Sequence, residues 1–283
     1  MPPPAWLHQA LAQQPGHRDV VVAGARVHYR CWGPAGAPGV VLVHGGAAHS
    51  GWWDHVPPLL TGCRVVALDL SGHGDSDRRE PYDPLLRARE VVAVAAAEGL
   101  DRPVLVGHSM GGWVAVTVGV EDPDAVAGVA FIDSPLNDSP PDGARLRERR
   151  RPHRVHPDAA TAVARFRPLP EQDVLLPHVR EHVARGSLRP AEGGWTWKFD
   201  PHFSGNRLRL RDLLPQLRCP VVLLRCDRGL VDPAMAAEMA RLVPAGMPVV
   251  DLPDAGHHPM LDQPLALVAA LRTLLAVWPR RPR

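Results

Sequence analysis

The pentapeptide Gly107-His108-Ser109-Met110-Gly111 has the form G-x-S-x-G. It follows the apolar run Val104–Val106 and precedes a helix-like stretch, Met110–Glu121. In that setting the spacing predicts a sharp strand-to-helix turn with a serine at its apex. Small residues two before and two after the serine let the flanking backbones approach closely, and the strained turn holds Oγ out at the edge of a sheet. The helix behind it offers N–H groups and a positive dipole end to a developing oxyanion. A serine hydroxyl becomes a useful nucleophile only when a base takes its proton. The chemistry implied is therefore acyl transfer, and the chain must supply a histidine and a carboxylate to support it.

The elements that would position these residues are legible as runs. Residues 18–31 alternate in polarity around Ala23-Gly24 and predict a hairpin. Six short apolar runs follow: 40–43, 64–68, 103–106, 128–132, 220–224 and 247–252. Continuous β-branched runs of this kind suit parallel strands buried on both faces. Between them lie the helix-like stretches 85–98, 110–121, 233–242 and 264–277. Strands alternating with helices imply a mostly parallel sheet with helices on both faces. The alternation stops after Asp133. From 135 to 212 no strand-like run stands out, and helix-like pieces lie near 158–167 and 173–185. The expected organisation is a core of residues 1–134 and 213–283, interrupted by a largely helical cap over 135–212.

Four motifs in order resemble the α/β-hydrolase family: His44-Gly45-Gly46, Asp69-Leu70-Ser71-Gly72-His73-Gly74-Asp75-Ser76, the elbow Gly107–Gly112, and Ala255-Gly256-His257 before a final helix. The resemblance spans nearly the whole chain and implies the α/β-hydrolase fold with an eight-stranded sheet. It implies Ser109 as nucleophile, His257 rather than its neighbour His258 as base, and the backbone N–H groups of Met110 and Gly46 (with Ala47 next) as oxyanion donors. The acid departs from the commoner family pattern. After the run 220–224, Cys226 and Gly229 stand where a glycine and the acid are usual. A subset of the family takes the acid from the preceding strand, which here gives Asp133. The order of expectation is Asp133, then Asp227, then Asp232. Aspartate-nucleophile reactions of this fold, such as dehalogenation and epoxide opening, do not fit a serine at the elbow. The expected activity is hydrolysis of an ester, thioester, lactone or similar acyl bond of a small, largely apolar substrate. A lyase, cyclase or acyltransferase using the same triad, a carbon–carbon bond hydrolase, and a catalytically dead binding module are the alternatives. No cofactor and no metal are implied.

Composition narrows the classes further. The chain has 283 residues, 45% hydrophobic and 22% charged, which fits a globular protein and excludes disorder or fibre. A net charge of +2 argues against nucleic acid as a partner. Only Lys198 among 32 basic residues is lysine, which reads as coding bias. The segment 135–212 carries fourteen arginines and Lys198 against ten acids, net +5. Six of those arginines fall in 145–154, either a solvated helix face or a basic lid for an acidic or carrier-bound substrate. Four cysteines without C-x-x-C spacing read as free thiols. With no signal-like start and no long apolar run, a cytoplasmic location without membrane contact is expected, as monomer or homodimer. His178-Val-Arg-Glu181-His182 matches H-x-x-E-H, but so short a pattern in a chain with 15 histidines reads as a solvated helix face. Trp52, Trp53, Trp113, Trp195, Trp197, Phe199 and Phe203 flank the motifs and predict an apolar pocket.

Overall fold

The computed structural model describes residues 2–136, 153–203 and 208–278. Its main sheet has eight strands: β1 (Gly16–Val22), β2 (Ala25–Trp32), β3 (Gly39–Val43), β4 (Arg64–Leu68), β5 (Val104–His108), β6 (Gly128–Ile132), β9 (Val221–Arg228) and β10 (Val249–Gly256). The spatial order is β1-β2-β4-β3-β5-β6-β9-β10. β2 pairs antiparallel with β1 and with β4, and every other pairing is parallel. The C-terminal ends of β3, β5, β6, β9 and β10 therefore open on one edge, where an open α/β sheet binds its ligand. That edge holds His44, Ser109, Asp133 and His257 in the loops and Asp227 near the end of β9.

Alternate residues of the strands feed two cores. Val41, Val43, Leu105, Val129 and Phe131 face the helices Pro84–Ala97 (α2) and Met110–Glu121 (α3). Val40, Leu42, Val106, Ala130 and Ile132 face the C-terminal helix Pro264–Val277. Burial on both faces explains why these strands read as continuous apolar runs. Some helix starts are set by side chains. Asp83 accepts from the N–H groups of Leu85 and Leu86, and Asp232 accepts from Met235, each followed by a proline at the first helical position. The first hairpin turns at Ala23 and Gly24, both with positive φ, as a two-residue turn requires.

Two elements depart from the sequence reading. A helix at Ala5–Ala12 precedes the first strand and buries Leu7 and Ala10. Between β6 and β9 the chain is not purely helical. Beside the helices Ala159–Ala164 and Pro177–Gly186 it forms a hairpin, β7 (Leu188–Ala191) with β8 (Gly194–Trp197). Pro190 inside the first strand hides it from a pattern search, since proline normally demotes a strand. Gly193 and Gly194 take positive φ at the turn. Bridges His156–Trp195 and His73–Phe199 tie this hairpin and the strand end after it to their neighbours. No described helix is long and apolar enough to cross a membrane.

Candidate active site

Ser109 sits between β5 and α3 with φ 51° and ψ −116°, a conformation that L residues rarely adopt. Its neighbours allow that. A Cβ at Gly107 would run into the Gly111 carbonyl, and one at Gly111 into the carbonyls of Val43 and His44. The Ser109 N–H donates to Ile132 O at 3.0 Å, and the Ser134 hydroxyl donates to Ser109 O at 2.9 Å. The elbow is thus pinned to β6. Met110 is buried directly behind it, and Arg87 reaches its sulfur at 3.4 Å.

His257 Nδ1 lies 2.7 Å from Asp133 Oδ2, and both residues are buried. A carboxylate only accepts, so Nδ1 carries the proton and Nε2 keeps the lone pair. The same carboxylate accepts from the N–H groups of Leu230 at 2.7 Å and Val231 at 3.1 Å. Asp133 therefore clamps the loop after β9 while it orients the imidazole. The other two acids are elsewhere. Asp227 is exposed and lies 3.7 Å from Arg225, and Asp232 caps a helix. Gly229 explains the choice. A Cβ there would collide with the Asp133 carboxylate. The space that an acid at 229 would need is already occupied by the acid from β6.

The loop after β3 is braced from behind. His44 donates from Nδ1 to Gly45 O at 2.7 Å and accepts at Nε2 from the Leu70 N–H at 3.1 Å. Burial pushes its pKa down to about 4, so it stays neutral. Asp69 anchors the next turn by accepting from the N–H groups of Ser50 (2.6 Å) and Asp75 (2.9 Å), with His28 Nδ1 at 3.0 Å. Burial pushes the Asp69 carboxyl up, and the hydrogen bond from His28 and the charges and N–H groups around it overcome that push and hold it well below the usual range. Sequence reasoning missed a second brace. His49 Nε2 lies 3.0 Å from Ser187 Oγ, which also accepts from Trp52 Nε1 at 3.3 Å. Only the small, polar Ser187 directly before a strand hinted at it.

Gly46 and Ala47 border a cavity of about 250 Å³ walled by Trp52, Phe166, Trp197 and Phe199. Phe203 packs against Gly46, where a Cβ would lie 3.1 Å from its ring. Trp53 is instead core, Trp113 donates to Pro135 O at 3.0 Å, and Trp195 sits in the hairpin bridge. Arg165, Arg167 and Lys198 also line the cavity, the last two facing Glu171 (3.3 Å) and Asp75 (2.9 Å). Residues 145–152 of the arginine-rich stretch lie outside the described residues. The H-x-x-E-H segment is engaged otherwise: His182 bonds Asp54 at 3.0 Å, and Glu181 pairs with Arg185. Two other groups could hold a cation by proximity, His108 with His257 and His258, and His28 with Asp69 and Asp75. In the second group Asp69 is already committed to N–H donors and to His28.

A mostly parallel eight-stranded sheet, a serine elbow and a histidine loop backed by a carboxylate define an α/β-hydrolase. The chain belongs to the alpha/beta hydrolase family, whose model matches residues 40–271. It is 31% identical over 271 residues to a Mycobacterium tuberculosis protein named Esterase Rv0045c, covering 90% of this chain and 88% of that one. It is 26% identical to Lipase LipV of the same organism, covering 88% and 97%. Among solved structures, an alpha/beta hydrolase from Novosphingobium aromaticivorans superposes with a TM-score of 0.75 at 24% identity, covering 93% of this chain and 98% of that one.

Proposed function

We propose that the protein is a serine hydrolase that cleaves an ester or related acyl bond of a small, largely apolar substrate. The observation that carries this reading is the 2.7 Å contact between His257 Nδ1 and Asp133 at the sheet edge that also presents the Ser109 elbow. The similarity to proteins named esterase and lipase supports it. In the reaction, His257 Nε2 takes the Ser109 proton as Oγ attacks the acyl carbon. The negative charge that develops on the carbonyl oxygen is met by the N–H groups of Met110 and Gly46. His257 then hands the proton to the leaving alcohol, and water, activated by the same histidine, releases the acid. Asp133 fixes the tautomer and balances the imidazolium charge. Residues 135–212 act as the cap, and the aromatic walls of the 250 Å³ cavity receive the acyl chain. A fluorophosphonate probe should label the wild type at Ser109, and Ser109→Ala should lose both labelling and hydrolysis of short-chain p-nitrophenyl esters. Ester hydrolysis that survives in Ser109→Ala would overturn the assignment.

A further inference from the structure

His257 owes its position to more than Asp133. It follows β10, and the backbone on either side of it is held by side chains. The Gly256 N–H donates to Asp262 Oδ2 at 2.6 Å. The peptide that joins His257 to His258 is gripped at both ends. Its carbonyl lies 2.7 Å from His108 Nε2, and a carbonyl only accepts, so His108 donates there. Its N–H donates to Gln172 Oε1 at 2.9 Å. His108 directly precedes Ser109, whereas Gln172 lies in the segment between β6 and β9, in the loop before the helix Pro177–Gly186. The peptide plane next to the base is thus held between the elbow and the cap.

The amide of Gln172 is itself oriented. Its Nε2 donates to Val174 O at 3.1 Å, which turns Oε1 toward the histidine loop. Gly256 makes room for it: a Cβ there would lie 2.8 Å from Gln172 Oε1 and 3.0 Å from Asp262 Oδ2. The chain around Gln172 is stitched to the same loop. The Leu176 N–H donates to Leu261 O at 2.9 Å, and the Leu169 and Pro170 carbonyls approach the His258 ring. Arg167, Pro168 and Leu169, just before Gln172, line the aromatic cavity. Packing alone would not need an acceptor at this point, since an apolar side chain would fill the space. The acceptor matters because a peptide that rotates swings the imidazole with it, and a misplacement of about 1 Å can cost ~10²-fold in rate.

We propose that Gln172 is a positioning residue for the base. By holding the 257–258 peptide against His108 it aims His257 Nε2 at Ser109, so the segment that lines the cavity also sets up the proton transfer. That role rests on His257 being the base of the proposed hydrolysis.

The test compares Gln172→Leu, which keeps a similar bulk and no polar atom, with Gln172→Glu, which keeps an oxygen where the His258 N–H needs one. With p-nitrophenyl butyrate and the full-length protein, Gln172→Leu should lower kcat ~10–100-fold with KM within ~2-fold, and Gln172→Glu should keep kcat within ~3-fold. Packing alone predicts the reverse order, and Gln172→Glu no better than Gln172→Leu overturns the role. Gly256→Ala checks the same contact without altering Gln172. Its Cβ displaces Oε1, so kcat should fall ~10-fold, and the loss should shrink to ~3-fold or less in the Gln172→Ala background. Equal losses in the two backgrounds overturn the role as well. A reading independent of turnover is the downfield proton resonance of His257 Nδ1–H at the Asp133 bond. It should be seen alike in the wild type, Ser109→Ala and Gln172→Glu, and should shift or broaden in Gln172→Leu. An unchanged resonance in Gln172→Leu overturns the role whatever the rates do. Hydrolysis surviving in Ser109→Ala overturns the serine reading alone and leaves the resonance to decide whether Gln172 places His257.

Discussion

The ends of β6 and β9 lie side by side and both carry acids, yet they have opposite fates. At the end of β6, Asp133 is fully buried and its carboxylate accepts from His257 and from two backbone N–H groups. At the end of β9, Asp227 faces solvent beside Arg225, and Asp232 begins the next helix. These two acids stand nearer to the position the commoner pattern expects. What separates them is surroundings. A carboxylate orients a histidine when its oxygens are taken out of water and fixed by other donors, and Asp133 alone meets that condition.

That contrast can be broken at several strengths. The largest expected effect is Asp133→Asn, which leaves the shape intact but favours the wrong imidazole tautomer; kcat on p-nitrophenyl esters should fall ~10⁴-fold. Asp227→Asn in the same assay should change kcat less than ~2-fold, and comparable losses in the two variants would dissolve the distinction. Gly229→Asp should be next in severity, since its Cβ collides with the Asp133 carboxylate. The double variant Asp133→Gly/Gly229→Asp moves the acid to the β9 side, and its kcat should exceed that of Asp133→Gly by ~10-fold or more if position matters less than burial. A double variant no better than Asp133→Gly would tie the role to the β6 strand itself.

Smaller effects concern stability. Burial lowers the pKa of His44, His49 and His55 from 6.5 to about 4. Between those values the unfolded chain binds protons that the folded one refuses. Their neutral burial is therefore tolerated in full above pH 6.5, and stability is lost as pH falls toward 4. The melting temperature at pH 5 should lie ~10 °C or more below that at pH 7.5 by calorimetry, and a flat profile would mean that these rings charge in place. The smallest effect is Asp232→Ala. It should cost about 1 kcal/mol in urea unfolding and leave kcat unchanged, because the side chain only caps a helix.

Most of the sheet was legible because its central strands are buried on both faces and two of its helices open on Asp-Pro caps. Ser109 and its glycines were legible because the turn tolerates few residue types. The choice among three acids was not, since it depends on what fills the space beside Gly229, and no local pattern encodes that. One signal was present: a glycine stood where an acid is usual, and it could have been read as room made for another side chain. The hairpin at 188–197 escaped because proline breaks the alternation that marks a strand. The bonds from His49 and Trp52 to Ser187 escaped because they join residues some 135 positions apart.

The positive φ of Ser109 has a bearing on attempts to make this protein more robust. Glycine would occupy that backbone conformation without steric conflict, so Ser109→Gly should unfold at a higher urea concentration than Ser109→Ala, by about 1 kcal/mol. A search guided only by heat tolerance would tend to remove the serine proposed as nucleophile. Screens for hardier variants of this scaffold should therefore score turnover at every round, and the elbow is the place where the two goals pull apart.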